Sequence, residues 1–164
     1  SSNTGITGRF QTIRSKNGVQ AVVDYAHTPD GLENVLKTAQ EFVKGKIIAV
    51  FGCGGDRDKT KRPIMGKIAG QYAGYCIITS DNPRTEDPEQ ILSDVEVGIK
   101  DTNCPYEKQV DRRIAIQRAV ALAQAGDVIL IAGKGHETYQ IFPDKTIHFD
   151  DVEEVRKAFG EDCI

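Results

Sequence analysis

The 164-residue sequence has no apolar stretch approaching the roughly 20 residues that a membrane-spanning helix needs. Its opening residues, SSNTGITGRF, carry neither a basic segment nor an apolar core, so nothing there reads as an export signal. Lysine and arginine nowhere form a block. With a net charge of -3 and a pI of about 5.6, composition gives no argument for nucleic acid or an acidic membrane as partner. Cys53, Cys76, Cys104 and Cys163 fit no C-x-x-C pattern, which excludes the common zinc and dithiol-redox frameworks and suits free thiols in a reducing cytoplasm. The triphosphate cradle G-x-x-x-x-G-K-S/T is also missing. The first residue is not methionine and a strand-like run follows almost at once, so a piece of a longer protein is expected.

What is present has the rhythm of an α/β domain. Residues 8–13 and 19–23 favour strands, and the Asn17-Gly18 between them is a hairpin-turn signal. Thr28-Pro29-Asp30 opens a segment with Leu32, Val35, Leu36, Ala39, Phe42 and Val43 at helical spacing, with a capping residue and a proline suited to the first turn. Three apolar runs, at 46–51, 75–79 and 127–132, suit strands buried on both faces. Helical patterns occupy 63–73, 88–100, 112–125 and 151–159, and 146–149 has a short β-like pattern. Such alternation predicts one Rossmann-like, doubly wound domain with a mostly parallel sheet, helices on both faces and an antiparallel hairpin strand at one edge.

In open parallel sheets, ligands bind beyond the carboxyl ends of the strands. There the sequence places DYAHTPD (24–30), GCGGDRDK (52–59), SDNPRTEDP (80–88) and GKGHE (133–137). Four loops rich in glycine, charge and amide at one rim predict a single polar crevice. The glycine loop is not the dinucleotide fingerprint, because Arg57 stands where its third glycine belongs. It reads either as a tight turn or as bare backbone open to a ligand, with Arg57 as a fork for a carboxylate. Arg84 beside Asn82 could bind a substrate's carboxylate and ammonium groups, or could be a surface arginine paired with Glu86 or Asp87. His27 and His136 lack a visible nucleophile partner, which favours binding or positioning over proton transfer. A metal site from His27, Asp24 and Asp30 is a weaker reading, and none is assigned.

The motifs GRFQ, DYAHTPD, FGCGGDRDKTKRP, SDNPRTEDP, AGKGHE and FDD occur in the order found in the C-terminal domain of the Mur ligases, and the chain resembles their diaminopimelate-adding branch from Gly8 to about Asp151. The resemblance implies one domain of a three-domain enzyme, in which an N-terminal domain holds the UDP portion and a central one carries the P-loop. Such ligases convert a peptide carboxylate to an acyl phosphate with ATP, and an amino acid's amine then attacks it. By the same resemblance Arg57, Asn82, Arg84, Gly133 and Glu137 hold meso-diaminopimelate, while Arg9, Asp24, Tyr25 and His27 lie at the nucleotide, Asp24 on its ribose. The arginine of DNPR suits a substrate with a distal carboxylate, since a buried unpaired guanidinium would penalise lysine.

Magnesium and the UDP-N-acetylmuramoyl-dipeptide would be held mainly by the other domains. No catalytic base is assigned, and the domain alone is expected to be inactive. Lys59 and Lys61 fall in a family motif without a role that can be derived. Two other readings remain open: another Mur or folylpolyglutamate-type ligase domain, or a non-enzymatic nucleotide-binding module.

Overall fold

The chain reverses at Asn17-Gly18, where Gly18 takes a positive φ of 88° and its N–H donates to Ser15 O. This turn joins β1 (Gln11–Arg14) to β2 (Gln20–Asp24) as an antiparallel pair. The computed structural model describes residues 10–164; the start of the expected first strand, at residues 8 and 9, lies outside them. After β2 come α1 (Pro29–Phe42), β3 (Ile47–Phe51), α2 (Lys61–Tyr72), β4 (Tyr75–Ile78), α3 (Pro88–Ile99), β5 (Tyr106–Lys108), α4 (Arg112–Leu122) and β6 (Val128–Ala132). A small hairpin, β7 (Tyr139–Ile141) with β8 (Thr146–His148), then leads to α5 (Asp151–Phe159).

The six-stranded sheet has the order β1-β2-β6-β3-β4-β5, parallel throughout except for β1 at the edge. Alternation along the strands divides the core into two layers. Ala49, Phe51, Cys76, Ile78, Leu130 and Ala132 face α1, α2 and α3. Ile48, Val50, Ile77, Ile129 and Ile131 face α4 and α5. Strands apolar on both faces are what a sheet covered by helices on both sides requires. α1 starts where the sequence predicts, with the Thr28 hydroxyl accepting from Gly31 N at 3.1 Å and Pro29 in the first turn.

Two strands were not legible beforehand. β5 is three residues long, Tyr-Glu-Lys, and pairs only with β4 at the sheet's edge. β7 supplies the partner that the β-like run at 146–148 needed. Neither carries enough apolar alternation to stand out from a loop.

Candidate functional site

The loops after β2, β3, β4 and β6 meet at one rim of the sheet. They enclose a polar cleft of about 370 Å³ whose lining includes Arg57, Asn82, Arg84, Gly133 and Glu137, together with Asp81, Tyr25 and His27. All five residues expected to take the amino acid are therefore brought together. Beside it, sharing Tyr25 and His27, lies an apolar pocket of about 640 Å³ lined by Phe10, Ala26, Val35 and Phe42, with Asp24 as its one acidic group. Three of the four residues expected at the nucleotide thus border a second chamber; Arg9 lies outside the described residues.

The glycine loop explains how the cleft is held. A Cβ on Gly55 would run into the Pro83 carbonyl, one on Gly52 into that of Thr79, and one on Gly54 would come within 2.8 Å of the Arg84 guanidinium. Gly55 N also donates to Asn82 O at 2.7 Å. The bare backbone serves close approach of the neighbouring loop, and Gly52 and Gly54 also line the cleft. The two loops are tied further by Asp56, which accepts from Thr85 N and Oγ1 and whose carboxyl those bonds hold below the usual range.

Arg84 adopts φ 53°, a costly backbone conformation for a side chain of its size. Its N–H donates to Ile141 O at 3.0 Å and its Nη1 to Gly55 O at 3.0 Å. It does not pair with Glu86 or Asp87. Glu86 is engaged by Arg62, at 2.7 Å, and held down to about 2 chiefly by that bond. Arg62 is almost fully buried, and its other bonds go to Asp94 and Gly54 O. Among the described residues neither Arg57 nor Arg84 has a carboxylate within ion-pair distance, and the one hydrogen bond of the Arg57 side chain goes to the Asp56 carbonyl. Two guanidiniums at one cleft thus remain able to take carboxylates.

Asn82 is buried, and its Oδ1 accepts from Lys134 Nζ at 2.9 Å and from Ile141 N at 3.0 Å. Both partners are obligate donors, so the amide orientation is fixed by chemistry. Only Nδ2 is left to offer a ligand, so Asn82 can serve a carboxylate but not an ammonium group. The acidic residues of the cleft are Asp58, Asp81 and Glu137, of which Asp81 and Glu137 lie beside Lys134. Burial, and next the charge of Asp81, pushes the Glu137 carboxyl above its ordinary range. Gly133, at φ 120°, has already given its N–H to Asp24 O, so what it can offer a ligand is its carbonyl.

Two buried residues that the sequence reading passed over hold this constellation. Lys134 Nζ donates to Asn82 Oδ1 and to Tyr139 O at 2.7 Å, and lies 3.2 Å from Asp81 Oδ1 as an ion pair without hydrogen-bond alignment. Arg112, at the start of α4, makes a bidentate pair with Asp151 at 2.8 Å on each arm, and donates to Ser80 O and Ala132 O. It thereby ties the ends of β4 and β6 to α5. A lone lysine between two glycines looks like a surface group, whereas Arg112 could have been found from its helical register with the buried Ala115, Ile116 and Ala119.

In the second chamber, Asp24 Oδ1 accepts from Ala26 N at 2.8 Å, and burial pushes its carboxyl up to about 6. A buried carboxylate beside an apolar pocket suits a ligand with a flat apolar ring and a polyol. His27 Nδ1 lies 3.0 Å from Tyr25 O, and the His27 ring rests against Tyr25, its centroid 4.5 Å away. His136 is exposed and borders neither chamber. Among the described residues no three His, Cys, Asp or Glu side chains group to hold a metal. The four cysteines are free thiols, and no helix among these residues is long and apolar enough to cross a membrane.

A parallel sheet flanked by helices, with a mixed-charge cleft and an apolar pocket at its carboxyl rim, defines an α/β ligand-binding domain. The family model described as Mur ligase, glutamate ligase domain matches residues 8–135, and the chain belongs to that family of ligases. It is 56% identical over 159 residues to a UDP-N-acetylmuramoyl-L-alanyl-D-glutamate–2,6-diaminopimelate ligase of Clostridioides difficile, covering 97% of this chain and 33% of the relative. The enzyme of the same name from Caldanaerobacter subterraneus subsp. tengcongensis is 52% identical over 160 residues, with 98% and 33% covered. A solved structure of a ligase of that name superposes with a TM-score of 0.88 at 53% identity, over 93% of this chain and 31% of the other. The chain therefore spans about a third of the length of the curated relatives it matches.

Proposed function

We propose that this chain is the amino-acid- and nucleotide-binding domain of a three-domain ligase that adds meso-diaminopimelate to UDP-N-acetylmuramoyl-L-Ala-D-Glu in the cytoplasm. The observation that carries the proposal is the pair of guanidiniums, Arg57 and Arg84, free of carboxylate partners in a cleft that also holds Asp81 and Glu137. Meso-diaminopimelate carries two carboxylates and two amines, and this cleft offers donors and acceptors for both. Arg84 with Asn82 Nδ2 would take one carboxylate, Arg57 a second, and Asp81 with Glu137 an ammonium group. The names of the relatives at 52% and 56% identity support that choice of amino acid.

The apolar chamber fits the nucleoside part of ATP. Phe10, Val35 and Phe42 offer apolar surface to a base, and Asp24 offers an acceptor to ribose hydroxyls. The described residues offer no cluster for magnesium, so the ion, the P-loop and the UDP-linked acceptor are assigned to the central and N-terminal domains. This chain's part is to hold the amine donor in place and close over the nucleotide, which brings the reacting groups together. By itself it should form no product from ATP, acceptor and amino acid.

Calorimetric titration of the 164-residue chain with meso-diaminopimelate and with lysine tests the assignment. Lysine lacks the distal carboxylate and would leave one guanidinium unpaired, so it should bind on the order of a hundredfold more weakly. Equal affinity for the two amino acids, or no heat from either, would refute it.

A further inference from the structure

Lys134 is 0% exposed, the one lysine in the fold's buried set. A long flexible cation is rarely enclosed unless each of its donors has work, because burying an unpaired ammonium is costly. Here Nζ is met by Asn82 Oδ1 at 2.9 Å, the Tyr139 carbonyl at 2.7 Å and Asp81 Oδ1 at 3.2 Å, with Glu137 Oε1 at 4.0 Å. Two of those partners come from the loop after β4, one from β7 and one from the loop after β6. Two partners, Asp81 and Glu137, are acidic residues of the cleft lining, and a third, Asn82, is its amide.

We propose that Lys134 is a positioning residue that sets the polarity of the amino-acid cleft from beneath: it fixes Asn82 with its amide nitrogen outward as a donor, and gathers the Asp81 and Glu137 side chains around one cation where they can face the ligand's ammonium group. The inference rests on the cleft being the amino-acid site, as proposed above. Asn82 Oδ1 could otherwise turn outward and present an acceptor to a carboxylate, which would repel it. Ile141 N, the second donor to Oδ1, reinforces the same orientation. The surrounding charges agree with this role. Burial holds the Lys134 ammonium below an ordinary lysine's range and the Arg112 guanidinium adds to that, while the charges of Asp81 and Asp151 oppose it. Lys134 in turn pulls down the Glu137 carboxyl, which burial and Asp81 raise. A carboxylate pair in so small a space is stabilised by a cation under it. Carrying the cation on the protein below the cleft, rather than leaving it to the ligand, means that both acidic side chains are placed before anything binds. The site is then preorganised, and specificity for an ammonium-plus-carboxylate ligand follows from groups already aimed.

The test compares wild type, Lys134→Met, Asn82→Ala and the double variant in the 164-residue chain, titrated separately with meso-diaminopimelate and with ADP. Lys134→Met preserves length and removes charge and donors. It should weaken meso-diaminopimelate about ten- to a hundredfold and leave ADP affinity within about twofold, since Lys134 borders no part of the apolar chamber. Because Lys134 acts through Asn82, the two losses should be far from additive in the double variant. Should Lys134→Met fail to fold, Lys134→Gln, a neutral donor, is read by the same comparison. Full additivity, equal loss of both ligands, or an unchanged meso-diaminopimelate affinity would overturn the role of Lys134. Failure of the unsubstituted chain to bind meso-diaminopimelate would instead overturn the reading of the cleft, and this proposal with it.

Discussion

The two chambers at the sheet's rim share a wall, Tyr25 and His27, yet are built on opposite principles. The polar cleft is a balance of charges: Arg57, Lys61 and Arg84 against Asp58, Asp81 and Glu137, with Lys134 beneath. The other is an apolar hollow with one carboxylate at its edge. The first needs exact placement, since each buried donor or acceptor left unmatched costs free energy. The second needs only surface and a single anchor. The architecture follows that demand. Around the polar cleft, Asp56 bonds Thr85, Arg62 bonds Glu86 and Gly54, Asn82 bonds Lys134, and Arg112 clamps Ser80 and Ala132. Asp24, in the other chamber, is steadied by one backbone N–H. A ligand with several charges is recognised by a cross-braced loop set, and a largely apolar one by a pocket between a strand end and a helix.

The most damaging way to break the contrast is to remove the brace. Arg112 and Asp151 are both fully enclosed, and a carboxylate stranded there has no other partner of opposite charge within ion-pair distance. Arg112→Ala should cost about 3–5 kcal/mol of folding stability. Urea denaturation monitored by circular dichroism measures it, and a loss below about 1 kcal/mol would show that the loops are held by something else. Replacing both partners with apolar residues of similar size should recover much of the loss.

Next in size is the effect that separates the chambers. Arg84 is held at the cleft by Gly55 O and Ile141 O but has no carboxylate of its own. Arg84→Ala should therefore leave the fold intact and weaken meso-diaminopimelate on the order of a hundredfold, with ADP affinity changed by no more than about twofold. Parallel titrations with the two ligands decide the matter. Equal weakening of both would mean that the chambers are not independent.

Much of this arrangement was legible in the sequence because the demands of the fold and of the site coincide. The runs at 46–51 and 127–132 are apolar on every position because both faces of those strands are covered, and Asn17-Gly18 marks its turn unaided. The rim loops announced themselves by chemistry that no core needs. What stayed hidden was relational. Nothing local distinguishes Lys134, flanked by glycines, from a solvated loop lysine; only the return of β7 over it encloses the side chain. Arg62 and Arg112 fall at helical spacing on the buried stripes of their helices, with Met65 and Ala69 and with Ala115, Ile116 and Ala119, yet their partners, Glu86 and Asp151, lie 24 and 39 positions away and no local pattern names them. The glycines of 52–55 were visible, but their purpose was not: what they accommodate is the 79–83 backbone, which no linear spacing reveals. The alternative pairing of Arg84 with Glu86 failed for the same reason, since Arg62 reaches Glu86 first.

The smallest effect sharpens the contrast from the apolar side. Burial raises the Asp24 carboxyl to about 6 from an ordinary 3.8, against the pull of the Ala26 N–H. Between those values the unfolded chain has released its proton and the folded chain still holds it, so the stability carried by protonated Asp24 is whole below pH 3.8 and drains away as pH rises through 6. Asp24→Asn has no such titration. Its stability relative to wild type should be unchanged near pH 4 and rise to a gain of about 1 kcal/mol above pH 7, the open pocket screening the rest. Nucleotide affinity should move in the opposite sense. In the wild type, ADP binding should weaken as pH falls through 6, because a protonated carboxyl accepts poorly from ribose hydroxyls, whereas in Asp24→Asn it should be weaker by about tenfold and flat with pH. Melting curves and ADP titrations from pH 4 to pH 8 would show both trends. If wild type and variant instead keep a constant gap in melting temperature across that range, the carboxyl is not taking up its proton inside the fold, and the apolar chamber is wetter than its lining suggests.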